Sequence, residues 1–187
     1  PLLGMIGRFD PQKDHVNLLQ ALARLRQQGE SFRCVLVGTD LTEDNSAFAH
    51  QIQQAGLKEQ VLLLGRYDDI PAVMNALDVH VLSSAFGEAF PNVLAEAMAC
   101  GTPCVTTDVG DAALIVGDTG WVVPSQDSLA LADTISTALR AQQDAAAWLS
   151  RQQAARQRVI DNFSIERMVL AYGSAWRAAF EKEARIR

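Results

Sequence analysis

"QVLLLGRYDDIPAVMNALDVHVLSSAFGEAFPNVLAEAMACGTPCVTTD", residues 60 to 108, decides the fold class because it alternates two kinds of apolar pattern. Residues 60 to 65, 78 to 84 and 103 to 108 are short apolar runs bounded by Gly, Pro or Asp, the signature of strands. Ile70 to Ala76 and Pro91 to Cys100 instead carry apolar residues at spacings near three and four, the period of a helix. The strand runs are continuous rather than alternating, which suits strands buried on both faces of a parallel sheet with helices packed on either side.

Upstream, "LLGMIG" (2 to 7) and "RCVLVG" (33 to 38) flank a helical pattern from Asp14 to Gln28, and Asn45 to Ala55 supplies the next helix. Downstream, "GWVVP" (120 to 124) adds a sixth strand. The expectation is a doubly wound, Rossmann-like α/β domain with five or six mainly parallel strands. From about residue 127 the pattern is helix alone: Asp127 to Arg140, Gln142 to Asn162, and Ser164 to about Glu183, with Ser164 suited to an N-cap. Val169, Tyr172, Trp176 and Phe180 line one side of the last helix and read as a packing face. Neither a linker nor an internal repeat divides residues 1 to 187, so one domain with a helical tail is expected.

Composition narrows the function classes. The 187 residues are 49% hydrophobic, enough for one core, and 16 basic against 22 acidic residues give a net charge of −6, without the basic footprint of nucleic-acid binding. Cys34, Cys100 and Cys104 form no C-x-x-C pair, which argues against a disulfide framework or a zinc site and fits a reducing, cytoplasmic setting. There is no secretory leader and no long apolar run, and the chain opens directly on a strand-like segment, as expected of a piece of a longer protein. The glycine fingerprints of dinucleotide and P-loop sites are absent, as are an Asp-x-Asp metal pair and a Ser-His-Asp set. No metal requirement is expected. His15, His50 and His80 are isolated, and His80 within a strand reads as a core residue.

In a doubly wound sheet ligands sit beyond the carboxyl ends of the strands, so the chemistry is sought in those loops. After the first strand, "GRFDPQKDHVN" places Arg8 and Lys13 on one turn before a helix, two cations suited to phosphate oxygens. The competing reading is a solvated loop in which Arg8 pairs with Asp10 or Asp14. After the strand ending at Ser84, Pro91 opens a helix that has no capping side chain, which leaves its first N–H groups for an anion; Gly87 allows close approach. Glu88 and Glu96 have seven residues between them, one over the strand ends and one along the helix on the face of Asn92. Carboxylates there accept hydrogen bonds from sugar or ribose hydroxyls.

These residues resemble the C-terminal, donor-binding half of a retaining glycosyltransferase of the GT-B fold, in the large group called family 4 or group 1. The likeness is carried by "GRFDPQKDH", "VLVG", "LLLGRYDDIPAVMNALDVHVLSS", "FGEAFPNVLAEAMACGTPCVTTDVGD" and "TGWVVPSQD", nearly end to end. The resemblance implies a hexosyltransferase-like enzyme. Arg8 and Lys13 would neutralise the donor diphosphate and Glu96 would hold the ribose hydroxyls. Glu88 would contact the transferred sugar, with Ala89, Phe90 and Asn92 supplying backbone contacts and Arg66 lying beside the base. It implies a nucleotide sugar, a UDP-sugar first, as substrate with no cofactor. It also implies an N-terminal acceptor domain outside this chain, without which the chain would not turn over. The last helix would then reach toward that half and stand partly exposed. The acceptor would be a glycan or a lipid-linked saccharide, with work in surface polysaccharide or lipopolysaccharide synthesis at the inner face of the membrane. The chain departs from the family at "VGTD", where Asp40 stands in place of a common second glycine, and at "VGD", where paired glycines before a glutamate are common. A non-catalytic nucleotide-binding module and a nucleotide-sugar epimerase of similar fold are the alternatives.

Overall fold

β1 (Leu2–Ile6) lies at the centre of the sheet, with β2 (Arg33–Val37) and then β3 (Val61–Gly65) on one side of it. On its other side are β4 (Val79–Leu82), β5 (Cys104–Thr107) and β6 (Trp121–Val123), giving the order β3-β2-β1-β4-β5-β6 in a computed structural model that describes residues 1–184. Every pairing is parallel. The four inner strands are buried because both faces are covered: Leu3, Leu36, Val79, Val81 and Val105 are fully enclosed, while the edge strands β3 and β6 leave Leu62 and Val122 exposed. Each side chain of that kind contributes about 1.5–3 kcal/mol on leaving water.

The chain winds outward from β1 to β3, then crosses back to the middle and winds outward the other way from β4. Right-handed crossovers therefore place the helices of the two halves on opposite faces. α1 (His15–Gln27) packs on α6 (Ser128–Ala141). On the other face α4 (Asn92–Ala99) gathers α3 (Ile70–Ala76), α5 (Ala112–Val116) and α7 (Ala145–Phe163). α2 (Ser46–Gln54) contributes Phe48 and Ile52 to the core. The reversal leaves β1 and β4 adjacent with their following helices diverging, which opens a crevice at their carboxyl ends.

Helix starts follow short polar side chains. Asn45, Asp69, Asp127 and Asp144 accept from N–H groups of the first turn that follows each, and Ser164 accepts from the Arg167 N–H as expected. Two elements escaped the sequence patterns: the 3-10 turn Pro11–Lys13, whose Asp10 side chain accepts from the Gln12 N–H, and α5. Both are too short to show a period. Pro91 is corrected by one position, standing at the cap of α4 rather than in its first turn.

α8 (Ile165–Ala184) corrects the expectation of a packing face. Val169, Tyr172, Trp176 and Phe180 are 58–74% exposed, and Ile165, Met168 and Leu170 are exposed beside them. The stripe is present at helical spacing, but among the described residues the chain does not cover it.

A candidate donor site at the switch point

The loops after β1 and β4 meet over the crevice and are tied by a set of bonds between residues far apart in sequence. The Ala85 N–H donates to the Gln12 carbonyl at 2.8 Å. The buried Ser83 hydroxyl reaches the Lys13 and Asp14 carbonyls at 2.8 and 3.1 Å. Thr107, at the end of β5, donates through its Oγ1 to the Ser84 carbonyl at 2.7 Å. Asp14 itself takes a left-handed conformation, φ 47°, and caps α1 by accepting from the Asn17 N–H. The turn that carries Lys13 is thus held at both ends.

Within that frame Lys13 Nζ donates to Glu88 Oε1 at 2.6 Å, and the Ser84 Oγ donates to the same oxygen at 2.6 Å. The side chains are enclosed, 13% exposed for Lys13 and 8% for Glu88. Glu88 Oε2 has no hydrogen bond among the described residues. The loop after β5 closes the other side: the Asp111 N–H donates to the Ala89 carbonyl at 2.8 Å, and Gly110, at φ 60°, lies so close that a Cβ there would overlap the Glu88 carbonyl oxygen. Ser83, Ser84 and Thr107 were not singled out in the sequence; small hydroxyl residues at two strand ends were the only available signal.

Arg8 stands on the same turn but points outward, with its Nε on Asp10 Oδ2 at 3.0 Å and Nη2 on Gln12 Oε1 at 3.3 Å. Of the two readings of Arg8, pairing with Asp10 therefore describes its partners in this structure, and the exposed guanidinium keeps donors to spare. Asp10 is held below the usual carboxylate range, first by the Gln12 N–H and then by Arg8. Beyond Arg8 a cavity of about 240 Å³ opens between the ends of β1, β2 and β3, lined by Gly7, Arg8, Gly38, Thr39, Arg66 and Tyr67 among others. Arg66 and Arg8 therefore share one hollow. A larger concavity, about 490 Å³, lies by Pro1, Glu30 and Gln143 at the amino ends of the strands, away from all of these side chains.

On α4 the cap residue Pro91 makes no side-chain bond, and the N–H groups of Ala89, Phe90, Asn92 and Val93 find no acceptor among the described residues. The Phe90 ring leans on Phe163, 5.5 Å between centroids, so its backbone remains free while its side chain packs. Asn92 and Glu96 are both exposed on α4, and the Glu96 carboxylate contacts neither Lys13 nor Arg8. The structure thus brings Lys13 and Glu88 together and groups Arg8 with Arg66, while Glu96 stands apart along the helix.

Asp40, the residue in place of a glycine, adopts φ 63°, the left-handed conformation a glycine takes without cost. Its carbonyl accepts from Asn45 Nδ2 at 3.0 Å. His15 and His80 are buried with no hydrogen-bond partner on either ring nitrogen. Burial lowers His15 to about 4 and His80 to about 3, with the Lys13 charge adding to both. Cys34 and Cys104 are buried free thiols, and burial pushes Cys34 up to about 12. Among the described residues no three His, Cys, Asp or Glu side chains gather as a metal site would require.

A sequence profile described as "Glycosyl transferases group 1" matches residues 1–141. A phosphatidyl-myo-inositol mannosyltransferase of Mycobacterium leprae is 36% identical over 140 residues, 72% of this chain and 36% of that protein. Among solved structures, a glycosyltransferase from Rickettsia africae superposes with a TM-score of 0.86 at 25% identity, covering 95% of this chain and 47% of the other. HepE of Anabaena, solved in complex with UDP and glucose, gives 0.76 at 30% identity, with coverages of 93% and 48%. The chain spans less than half the length of each of these proteins.

Proposed function

The chain belongs to the group 1 glycosyl transferases, and from that premise we propose that it binds the nucleoside-diphosphate sugar of a retaining hexosyltransferase at the carboxyl ends of β1 to β4. The observation that carries this is the meeting of Lys13 and Glu88 at the switch point, 2.6 Å apart and enclosed although 75 residues separate them. A cation for phosphate and a carboxylate for sugar hydroxyls are the pair such a donor needs at its diphosphate-sugar junction.

In this reading Lys13 and Arg8 hold the diphosphate, and the free N–H groups of Ala89, Phe90 and Asn92 add backbone donors around it. Glu88 takes the transferred sugar, Glu96 the ribose hydroxyls, and the hollow by Arg66 the base. UDP is the first candidate, because HepE binds it on a similar fold. Arg8 and Lys13 carry the diphosphate charge, and no metal ion is required. An N-terminal domain supplies the acceptor side, so this chain binds donor without turning it over. Positioning donor and acceptor together supplies as much as ~7–11 kcal/mol of a barrier. The exposed stripe of α8 faces that partner domain. The acceptor is a glycan or lipid-linked saccharide of surface polysaccharide synthesis, reached at the cytoplasmic face of the membrane.

Calorimetric titration with UDP and with uridine tests the site. Lys13→Met should weaken UDP by roughly tenfold or more, the worth of a charge-assisted bond, and leave uridine unchanged. Equal losses for both would return Lys13 to a structural role, and no binding of any nucleotide by the unmutated chain would end the donor-site reading.

A further inference from the structure

Lys13 already has an anion. Its Nζ is bonded to Glu88 Oε1, so a diphosphate arriving at Lys13 does not meet a free cation but one with a resident counter-ion. Glu88 cannot drift away to make room. Its side chain is 8% exposed, Ser84 holds the same oxygen from a backbone that Thr107 fixes, and Gly110 lies close against the Glu88 backbone carbonyl. When Lys13 turns to phosphate, the carboxylate stays enclosed with Ser84 as its one remaining donor among the described residues. An enclosed carboxylate that loses its cation is costly unless new donors replace it.

We propose that Glu88 is an internal competitor for the phosphate-binding cation, and that this competition makes the site prefer a nucleotide sugar over a bare nucleoside diphosphate. This rests on the donor-site reading above and adds a specificity role to Glu88. A donor brings sugar hydroxyls to Glu88 as it takes Lys13 away, so both charges remain satisfied. A bare diphosphate takes Lys13 and offers Glu88 nothing. After transfer the sugar is gone, Glu88 regains its claim on Lys13, and the diphosphate product is held less firmly. The unbonded Oε2 is the oxygen left open for a hydroxyl.

The test measures the Kd of UDP, UDP-glucose and uridine for the full chain and for Glu88→Gln, Lys13→Met and the double variant. Gln is isosteric, keeps an acceptor for Ser84 and removes the charge. Glu88→Gln should bind UDP about threefold to tenfold more tightly, a charge-assisted bond exchanged rather than lost, while UDP-glucose gains less or weakens and uridine is unchanged. In the Lys13→Met background the same change should leave UDP unaffected, because there is no cation to compete for. Glu88→Ala, which also removes the charge, should tighten UDP in the same direction and serves if the Gln variant does not fold. If neutralising Glu88 weakens UDP or leaves it unchanged, with UDP binding intact in the unmutated chain, the competition is refuted and the donor site survives. Tightening that persists without Lys13 refutes it as well. Absence of UDP binding in the unmutated chain overturns the donor site first.

Discussion

α6 and α8 are both amphipathic helices, and they meet opposite fates. In α6 Leu131, Ile135, Ala138 and Leu139 are buried, against α1 and the strands β5 and β6. In α8 an equally regular stripe of Val169, Tyr172, Trp176 and Phe180 remains in the open. Helical period places apolar side chains on one side of a cylinder in both, but only a second surface turns that side into core. The sheet body has such surfaces everywhere, because reversing the winding direction covers both faces. α8 leaves the body after Phe163, and among the described residues its main meeting is with α7. Its exposed apolar side chains, Val169, Tyr172, Trp176 and Phe180 among them, follow one another along a face rather than standing scattered, the pattern of a surface that meets a partner.

The largest test of this contrast truncates α6. Ile135→Ala should destabilise the chain by about 3 kcal/mol, the transfer and cavity terms of a fully buried aliphatic side chain, read by urea unfolding with an unchanged m-value. A loss under about 1 kcal/mol would mean that α6 is as loosely held as α8, and the contrast would collapse.

Acid should find the body next. His15 and His80 are held neutral, with folded values near 4 and 3 against an ordinary 6.5. Their contribution is therefore complete above pH 6.5 and is lost as pH falls toward those folded values. At pH 5 each should cost about 2 kcal/mol relative to pH 7. Urea melts at both pH values, repeated for His80→Leu, should show the slope reduced by about half. A slope that Leu leaves untouched would place the acid sensitivity elsewhere.

The backbone of the body gives a smaller effect. Asp40 sits at φ 63°, so Asp40→Gly should be more stable than Asp40→Ala by about 1 kcal/mol, measured as a difference of unfolding midpoints. The reverse order would show that this loop relaxes out of the left-handed region. The smallest effect belongs to α8: Trp176→Ser should alter the stability of the isolated chain by no more than about 0.5 kcal/mol. A large loss would show that the stripe is covered in solution, and the two helices would no longer differ.

Much of this was legible beforehand for identifiable reasons. All six strands and the helices from α1 to α4 fall within a residue or two of the patterns, because buried parallel strands are continuous apolar runs and their helices carry a full period. α5 and the Pro11–Lys13 turn were not legible, since three to five residues hold no period to read. In the site, Lys13 and Glu88 could be named as chemistry-bearing residues on two strand-end loops. Their partnership could not, nor could Ser83, Ser84 and Thr107, whose hydroxyls are unremarkable until the loops are brought together.

By itself the sequence determined the winding: alternating strand and helix patterns, with strands too apolar for a one-sided sheet, admit few arrangements other than a doubly wound one. It also determined that charge and glycine would gather at the carboxyl ends of the strands. Tertiary structure decided the rest. The order β3-β2-β1-β4-β5-β6 puts β1 against β4, and only that adjacency carries Lys13 to Glu88. Tertiary structure also left α8 uncovered. The physical reason is the same in both cases: pattern along a chain records what each residue would bury or pair with, whereas the identity of its partner depends on which distant segment the sheet order brings within reach.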